Sequence, residues 1–289
     1  MSRAIVLCAD DYGHSAPISR AILDLARLGR ISALSCMTAS PLLPEHGPWL
    51  QAVKDKLDIG LHLTLVDETP LTKMPNTAPD GKLPGIRALI LKCYFGQLDF
   101  AEIEAEIRAQ MNAFTAVMGA APHHIDGHLH THVLPGVRDI VLKIASELSP
   151  RPWLRNIADS YASIAKRGIA VPKALFLAAL GNSFAQTTVS MNDTFSGVYD
   201  FAPDSDYAAL FPHFLRSAGQ RHLILCHPGE ANDTAAHAML RAREYAYLKS
   251  DGFLESLAAR DIRIGRFAET APSIPTPSPK VPCLPPSRV

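Results

Sequence analysis

Short apolar runs alternate along the chain with longer stretches whose apolar residues recur at three- and four-residue steps. Residues 4–8 form an unbroken apolar run of strand length. Ile18, Ile22, Leu23, Leu25 and Ala26 then make a helical stripe over residues 18–28, closed by Gly29 as a glycine past a helix end often does. Residues 32–37 and 58–66 read as the next strands. Residues 100–118 predict a long amphipathic helix with Ile103, Ile107, Met111 and Phe114 on one side. A strand over 123–127 and a helix over 136–148 follow. Strands at 153–156, 188–191, 223–226 and 262–264, with helices at 206–217 and 235–259, complete the pattern. Strands that alternate with helices specify βαβ units and a parallel sheet. About eight such strands predict an α/β fold, a single (β/α) barrel-like domain with peripheral helices, irregular or incomplete rather than an open sheet.

Composition narrows the function classes. The 289 residues are 47% hydrophobic and 19% charged, with 28 basic against 28 acidic side chains, and zero net charge lacks the basic face that phosphate recognition needs. A nucleic-acid partner is therefore not expected. No apolar run approaches about 18 residues, so no membrane span is expected either. The apolar stretch near the N-terminus is short and ends in two carboxylates, which suits a first strand and not a signal peptide. Five widely spaced cysteines (Cys8, Cys36, Cys93, Cys226 and Cys283) read as reduced core residues of a cytoplasmic protein. Residues 271–289 hold seven of the 23 prolines and read as a disordered or polyproline tail behind a catalytic domain of residues 1–270.

Histidine changes the picture, because five of the twelve (His123, His124, His128, His130 and His132) fall within ten residues. Asp10-Asp11-Tyr12-Gly13 directly follows the first apolar run, where parallel α/β folds place active sites. His62 lies inside the otherwise apolar Ile59-Gly60-Leu61-His62-Leu63, and His227 ends the apolar run Leu223 to Cys226. Each feature alone has an ordinary reading: a strand-to-turn signal, a satisfied core histidine, a solvated loop. Together, an acidic pair and three separate histidine sites fall at strand C-termini, which a barrel brings onto one rim. One carboxylate with two imidazoles is a ligand set for a divalent ion that leaves positions open for water and substrate.

Four segments, Ala9-Asp10-Asp11-Tyr12-Gly13, Gly60-Leu61-His62-Leu63-Thr64, His124-Ile125-Asp126-Gly127-His128 and Cys226-His227-Pro228, occur in the order and spacing of a known family. The chain resembles the YdjC-type carbohydrate deacetylases (the ChbG/HpnK family) over about residues 3 to 268. Tyr12 stands where that family more often has Phe, and Gly127 where Ser is common; neither change removes a ligand. The resemblance implies a barrel-like fold related to the polysaccharide deacetylases and one divalent ion held by Asp11, His62 and His128. It implies Asp10 as general base, His227 as general acid and Arg155 as the arginine beside the base. The family is described as magnesium-dependent, whereas two imidazoles suit zinc, cobalt or nickel better. The expected substrate is an acetylated amino sugar; Phe195, Tyr199, Phe201 and Tyr94 are candidate platforms for its rings, though aromatics in such segments more often serve packing, and a homodimer is left open. Another metal-assisted hydrolase, a phosphoesterase or a cyclic amidohydrolase, is the alternative activity, and a non-catalytic sugar-binding protein the alternative class.

A tail that packs on nothing is dispensable. Deleting residues 271–289 should leave the melting temperature nearly unchanged. A drop of more than about 5 °C, roughly 1–2 kcal/mol for a domain of this size, would show that the tail packs against the barrel.

Overall fold

Ala4 to Tyr12 are nine consecutive buried residues of one strand, the mark of a strand covered on both faces. In the computed structural model, which describes residues 2–181, 189–216 and 218–270, this strand is β1 (Arg3–Tyr12). It is followed by β2 (Ala33–Cys36), β3 (Asp58–Leu63), β4 (His124–Gly127) and β5 (Trp153–Leu154). The chain ends its sheet with β6 (Thr194–Ser196), β7 (His222–Cys226) and β8 (Ile262–Ile264). The order across the sheet is β5-β4-β3-β2-β1-β7-β6, with β8 paired to β1. Every pairing is parallel. Between the outer strands, the described residues show one isolated bridge, Leu154 to Met191. The Asn192 side chain adds bonds to both the backbone N–H and the carbonyl of Asn156. The barrel expected from eight strands is thus irregular, with one short seam.

The helices are α1 (Ala16–Arg27), α2 (Leu43–His46), α3 (Ile86–Tyr94), α4 (Phe100–Met118), α5 (Val137–Glu147) and α6 (Tyr161–Arg167). They continue with α7 (Val171–Gly181), α8 (Tyr207–Phe214), α9 (Ala238–Lys249), α10 (Asp251–Ala258) and α11 (Phe267–Thr270). Helix α1 starts where the Ser15 hydroxyl accepts the Ile18 N–H, a cap contributing about 1 kcal/mol, and it buries Ile18, Ile22 and Leu25 against the sheet. Helix α4 buries two polar residues among its apolar ones. Gln110 exchanges hydrogen bonds with both backbone groups of Thr64, and Glu106 accepts the N–H groups of Leu71 and Thr72. These bonds pin the loop that leaves β3 next to the strand's C-terminal end. Among the described residues, no helix is long and apolar enough to cross a membrane.

Three expectations need correction. The helix expected over 235–259 is two helices, because Ser250 leaves the helical conformation and caps α10 by accepting the Phe253 N–H. The sixth strand lies at Thr194–Ser196 and not at 188–191, where Met191 makes only the isolated bridge; Thr188 lies outside the described residues. The helix expected over 206–217 ends at Phe214, and Ser217 lies outside the described residues. Cys8, Cys36, Cys93 and Cys226 are free and buried, as expected. Cys283 and the whole proline-rich segment 271–289 lie outside the described residues.

Gly60 on β3 has a packing reason to lack a side chain, since a methyl group there would run into the His124 ring. That ring stacks on Trp153, with 4.2 Å between centroids, and Trp153 stacks on Phe267 at 4.6 Å. Gly60→Ala should cost about 1–3 kcal/mol by overpacking, read from the denaturant midpoint. An unchanged midpoint would mean that His124 is not held in this slot.

Candidate active site

The C-terminal end of β1 turns sharply at Asp11, whose φ of 70° is in the left-handed region that Asp tolerates better than most residues. The turn sends the two neighbouring carboxylates to different partners. Asp10 takes both ends of the Arg155 guanidinium, Nη1 to Oδ2 and Nη2 to Oδ1, each at 2.6 Å. Asp11 Oδ1 lies 3.2 Å from His62 Nε2 and 2.9 Å from His128 Nδ1. Its other oxygen, Oδ2, accepts from Arg241 Nη2 at 2.6 Å. Burial works against the charge on Asp11, yet Arg241 and His128 win and hold its carboxyl well below the usual carboxylate range.

Strand register fixes the next layer. His62 on β3 sits opposite Asp126 on β4, and its Nδ1–H donates to Asp126 Oδ1 at 2.7 Å. Asp126 Oδ2 accepts from the Ser35 hydroxyl and pairs with Arg155 Nη2, both at 2.5 Å. Burial opposes the His62 imidazolium, but Asp126 and the hydrogen bonds to Asp11 and Asp126 push its pKa up to about 10. With a carboxylate on each side, the ring carries a proton at both nitrogens. A divalent cation beside Asp11 would take the place of the Nε2 proton and leave the Nδ1–H on Asp126.

Among the described residues, three groups of side chains bring enough donors together for a metal ion: Asp11/His62/His128, Asp10/His62/Asp126 and Cys8/His124/Asp126. The Arg155 guanidinium decides between them. It bonds to Asp10, Asp126 and Cys8 Sγ, so a fixed cation already serves the second and third groups. In the first group Arg241 touches only the outer oxygen of Asp11, and Asp126 orients His62 from behind as a carboxylate commonly orients a ligating imidazole. The donor set fits a divalent ion at Asp11, His62 and His128.

After β4 the chain does not stay extended. Leu129 and His130 have φ values of 49° and 60°, and the turn scatters the clustered histidines. His128 faces Asp11, His132 Nε2 donates to the Arg155 carbonyl at 2.9 Å, and His130 packs edge-on to Phe195. His227, just past β7, places Nε2 4.0 Å from Asp10 Oδ2. Burial pushes its pKa down to about 4, so in the substrate-free site the ring is neutral near pH 7. All six residues singled out in the sequence, Asp10, Asp11, His62, His128, Arg155 and His227, therefore meet at the strand C-termini. Of the four aromatics considered as sugar platforms, Phe195 and Tyr199 are buried in the core and Tyr94 is exposed on α3. Only Phe201 faces a site residue, edge-on to His227 at 5.4 Å.

Sequence reasoning passed over Asp126 as a partner, and it missed Arg241 and Glu244 altogether. Glu244 is fully buried and accepts the His227 backbone N–H at 2.6 Å and the Tyr199 hydroxyl at 2.7 Å. Leu240, Glu244 and Leu248 share the buried face of α9, so a carboxylate at the centre of an apolar i, i+4, i+8 stripe was the available signal.

A family model described as YdjC-like protein matches residues 4–259. The chain belongs to the YdjC-like family. A chitooligosaccharide deacetylase from Yersinia pestis (strain Pestoides F) is 28% identical to this YdjC-like chain over 273 residues, which is 93% of this chain and 100% of that protein. A chitooligosaccharide deacetylase from Yersinia pseudotuberculosis serotype O:1b (strain IP 31758) gives the same figures. Among solved structures, a protein from Enterococcus faecalis V583 described as a cellobiose-phosphate cleavage protein superposes with a TM-score of 0.70 at 20% identity. It covers 94% of this chain and 100% of its own, and the likeness establishes a shared fold.

Burial pushes Glu244 up from 4.5 to about 7, so the folded state holds this proton longer than the unfolded chain does. Its contribution to stability is full below about pH 4.5 and is lost as pH rises through about 7. The shift corresponds to about 3 kcal/mol at most. Glu244→Gln should flatten the fall in melting temperature across that window. An unchanged slope would show that Glu244 does not titrate there.

Proposed function

We propose that this protein is a metal-dependent hydrolase that removes the acetyl group from an N-acetylated amino sugar, releasing acetate. The observation that carries the reading is the division of labour between two adjacent carboxylates. Asp11 shares its inner oxygen with two imidazoles, while Asp10 is held by Arg155 and faces His227. This division supports a cation site at one carboxylate and proton transfer at the other. Membership of the YdjC-like family and relatives named chitooligosaccharide deacetylases support the substrate class.

In this reading Asp11, His62 and His128 hold one divalent ion. When bound, such an ion polarises the acetamide carbonyl and makes water a stronger acid. Arg155 fixes Asp10 by both oxygens, so the base is oriented before substrate arrives. Asp10 takes a proton from the attacking water. Its Oδ2 lies 4.0 Å from His227 Nε2, within reach of a small side-chain rotation. Because His227 rests neutral, the proton it delivers to the departing amine is gained during turnover, and Asp10 stands where it can supply it. The amine needs that proton, since as an anion it is too basic to leave. Two imidazoles favour zinc, cobalt or nickel at the site; magnesium, the ion described for the family, prefers an all-oxygen set.

Metal analysis and acetate release from an N-acetylated chitooligosaccharide test the reading together. One divalent ion per chain and acetate release that stops on chelation are expected. A bound ion without acetate release would favour a different metal-assisted hydrolase, and sugar binding without an ion would favour a lectin-like protein. Alanine at Asp11, His62 or His128 should lower metal occupancy; unchanged stoichiometry in all three variants would sink the site.

The two proton-transfer roles separate in a second experiment. Asp10→Asn should keep the metal and lose turnover by about 10²–10⁴-fold, as general acid–base groups typically contribute. His227→Ala should also keep the metal, but its defect should shrink with an acetanilide, whose amine leaves with less help from a proton. Equal rescue of both variants, or of neither, would overturn the assignment of base and acid.

A further inference from the structure

Helix α9 reaches the candidate site from outside the sheet, and Arg241 is its point of contact with Asp11. The side chain is buried, Nη2 donates to Asp11 Oδ2 at 2.6 Å and Nε donates to the Ala236 carbonyl at 3.3 Å. Its backbone is fixed as well: the Arg241 carbonyl accepts the Gly229 N–H at 3.2 Å, two residues past His227. A side chain at Gly229 would meet the Arg241 stem at 3.1 Å, so helix and loop pack without slack. One turn further along, Glu244 accepts the His227 N–H. The guanidinium thus approaches Asp11 from a rigid base, and the two oxygens of Asp11 are not equivalent. Oδ1 faces both imidazoles and Oδ2 is taken.

We propose that Arg241 is a positioning residue that holds Asp11 so that only Oδ1 faces the cation site, keeping the second oxygen from occupying a position needed by water or substrate. The inference rests on the reading of Asp11, His62 and His128 as that site. A free carboxylate can offer a metal ion one oxygen or two, and open positions separate catalytic sites from closed structural ones. Removing the guanidinium releases Oδ2 to turn inward as an additional donor. Groups that orient metal ligands from behind typically matter by about 10–100-fold in affinity or activity.

Cobalt(II) makes the donor number visible, because its d–d absorption weakens as coordination rises. In the unaltered protein, one cobalt ion per chain is expected, with a spectrum lost in His62→Ala. Absence of that ion would overturn the cation-site reading itself, and this inference with it. In Arg241→Met, which fills similar space without a charge, cobalt should remain bound, its visible absorption should weaken, and acetate release should fall about 10–100-fold. A cobalt spectrum identical to that of the unaltered protein would overturn the role of Arg241 and leave the cation site standing. Loss of cobalt from a variant that still melts cooperatively would also overturn the role of Arg241, since a released Oδ2 adds a donor and does not expel the ion. Breaking a buried ion pair is strongly destabilising, so if Arg241→Met does not fold, Arg241→Gln carries the test under the same criteria.

Discussion

The Arg155 guanidinium is the charge on which the rest of the site depends. It is fully buried, bonded to both oxygens of Asp10, paired with Asp126 and in contact with Cys8 Sγ. Burial disfavours its charge, and Asp10 and Asp126 more than restore it, so its pKa lies well above the ordinary range. The dependence runs both ways. Without Arg155 two carboxylates would be left facing each other in the interior, and an uncompensated buried charge of this kind costs about 3–5 kcal/mol. Asp126 would then lose its orientation, and with it His62, whose Nδ1–H it accepts. A single cation beneath the site therefore sets the geometry of both the proposed base and one of the proposed ligands.

Parallel strands make that arrangement available. Asp10 and Asp126 lie near the C-terminal ends of β1 and β4, and Arg155 directly follows β5, each held by a strand whose register is fixed by its neighbours. The His62–Asp126 bond is a direct consequence of Leu61, His62 and Leu63 pairing with Ile125, Asp126 and Gly127. A one-residue slip would turn His62 to the other face of the sheet and break the chain from Arg155 to Asp11. The contacts that look structural, such as His124 stacked between the Gly60 backbone and Trp153, help keep that register.

The sequence made some of this legible and hid the rest for physical reasons. Asp10, Asp11, His62 and His227 stand out because a polar residue within or at the end of an apolar run needs a partner, and the family resemblance picked His128 out of the histidine cluster and added Arg155. Glu244 carries a weaker mark, as a carboxylate inside the Leu240–Leu248 apolar stripe, and Arg241 carries none, since charged residues on a helix usually face water. The burial of α9 on the His227 loop shows that both point inward. The split at Ser250 was hidden because apolar spacing continues across it, and one capping hydroxyl decides the break. The sixth strand lies at Thr194–Ser196 and not at 188–191 because Thr194, Phe195 and Ser196 pair in register with His222, Leu223 and Ile224 of β7, which composition does not reveal.

Charge balance links these layers to the proposed chemistry. Asp10, Asp11 and Asp126 bring three formal negative charges, and Arg155 and Arg241 bring two positive ones. The residual negative charge is met by a proton held on His62 between Asp11 and Asp126. On the proposed reading, a divalent ion replaces that proton, and the same set of groups changes from neutral to singly positive. A buried positive charge favours the negative oxygen that develops when an amide carbonyl is attacked, and it does so more strongly in a low-dielectric site than it would in water. With only one of the two guanidinium groups present, the ion-bound site would be neutral. Its electrostatic preference for the transition state over the neutral amide would then be weaker. On that reading the two arginines do more than neutralise carboxylates: they set the charge from which the proposed reaction starts.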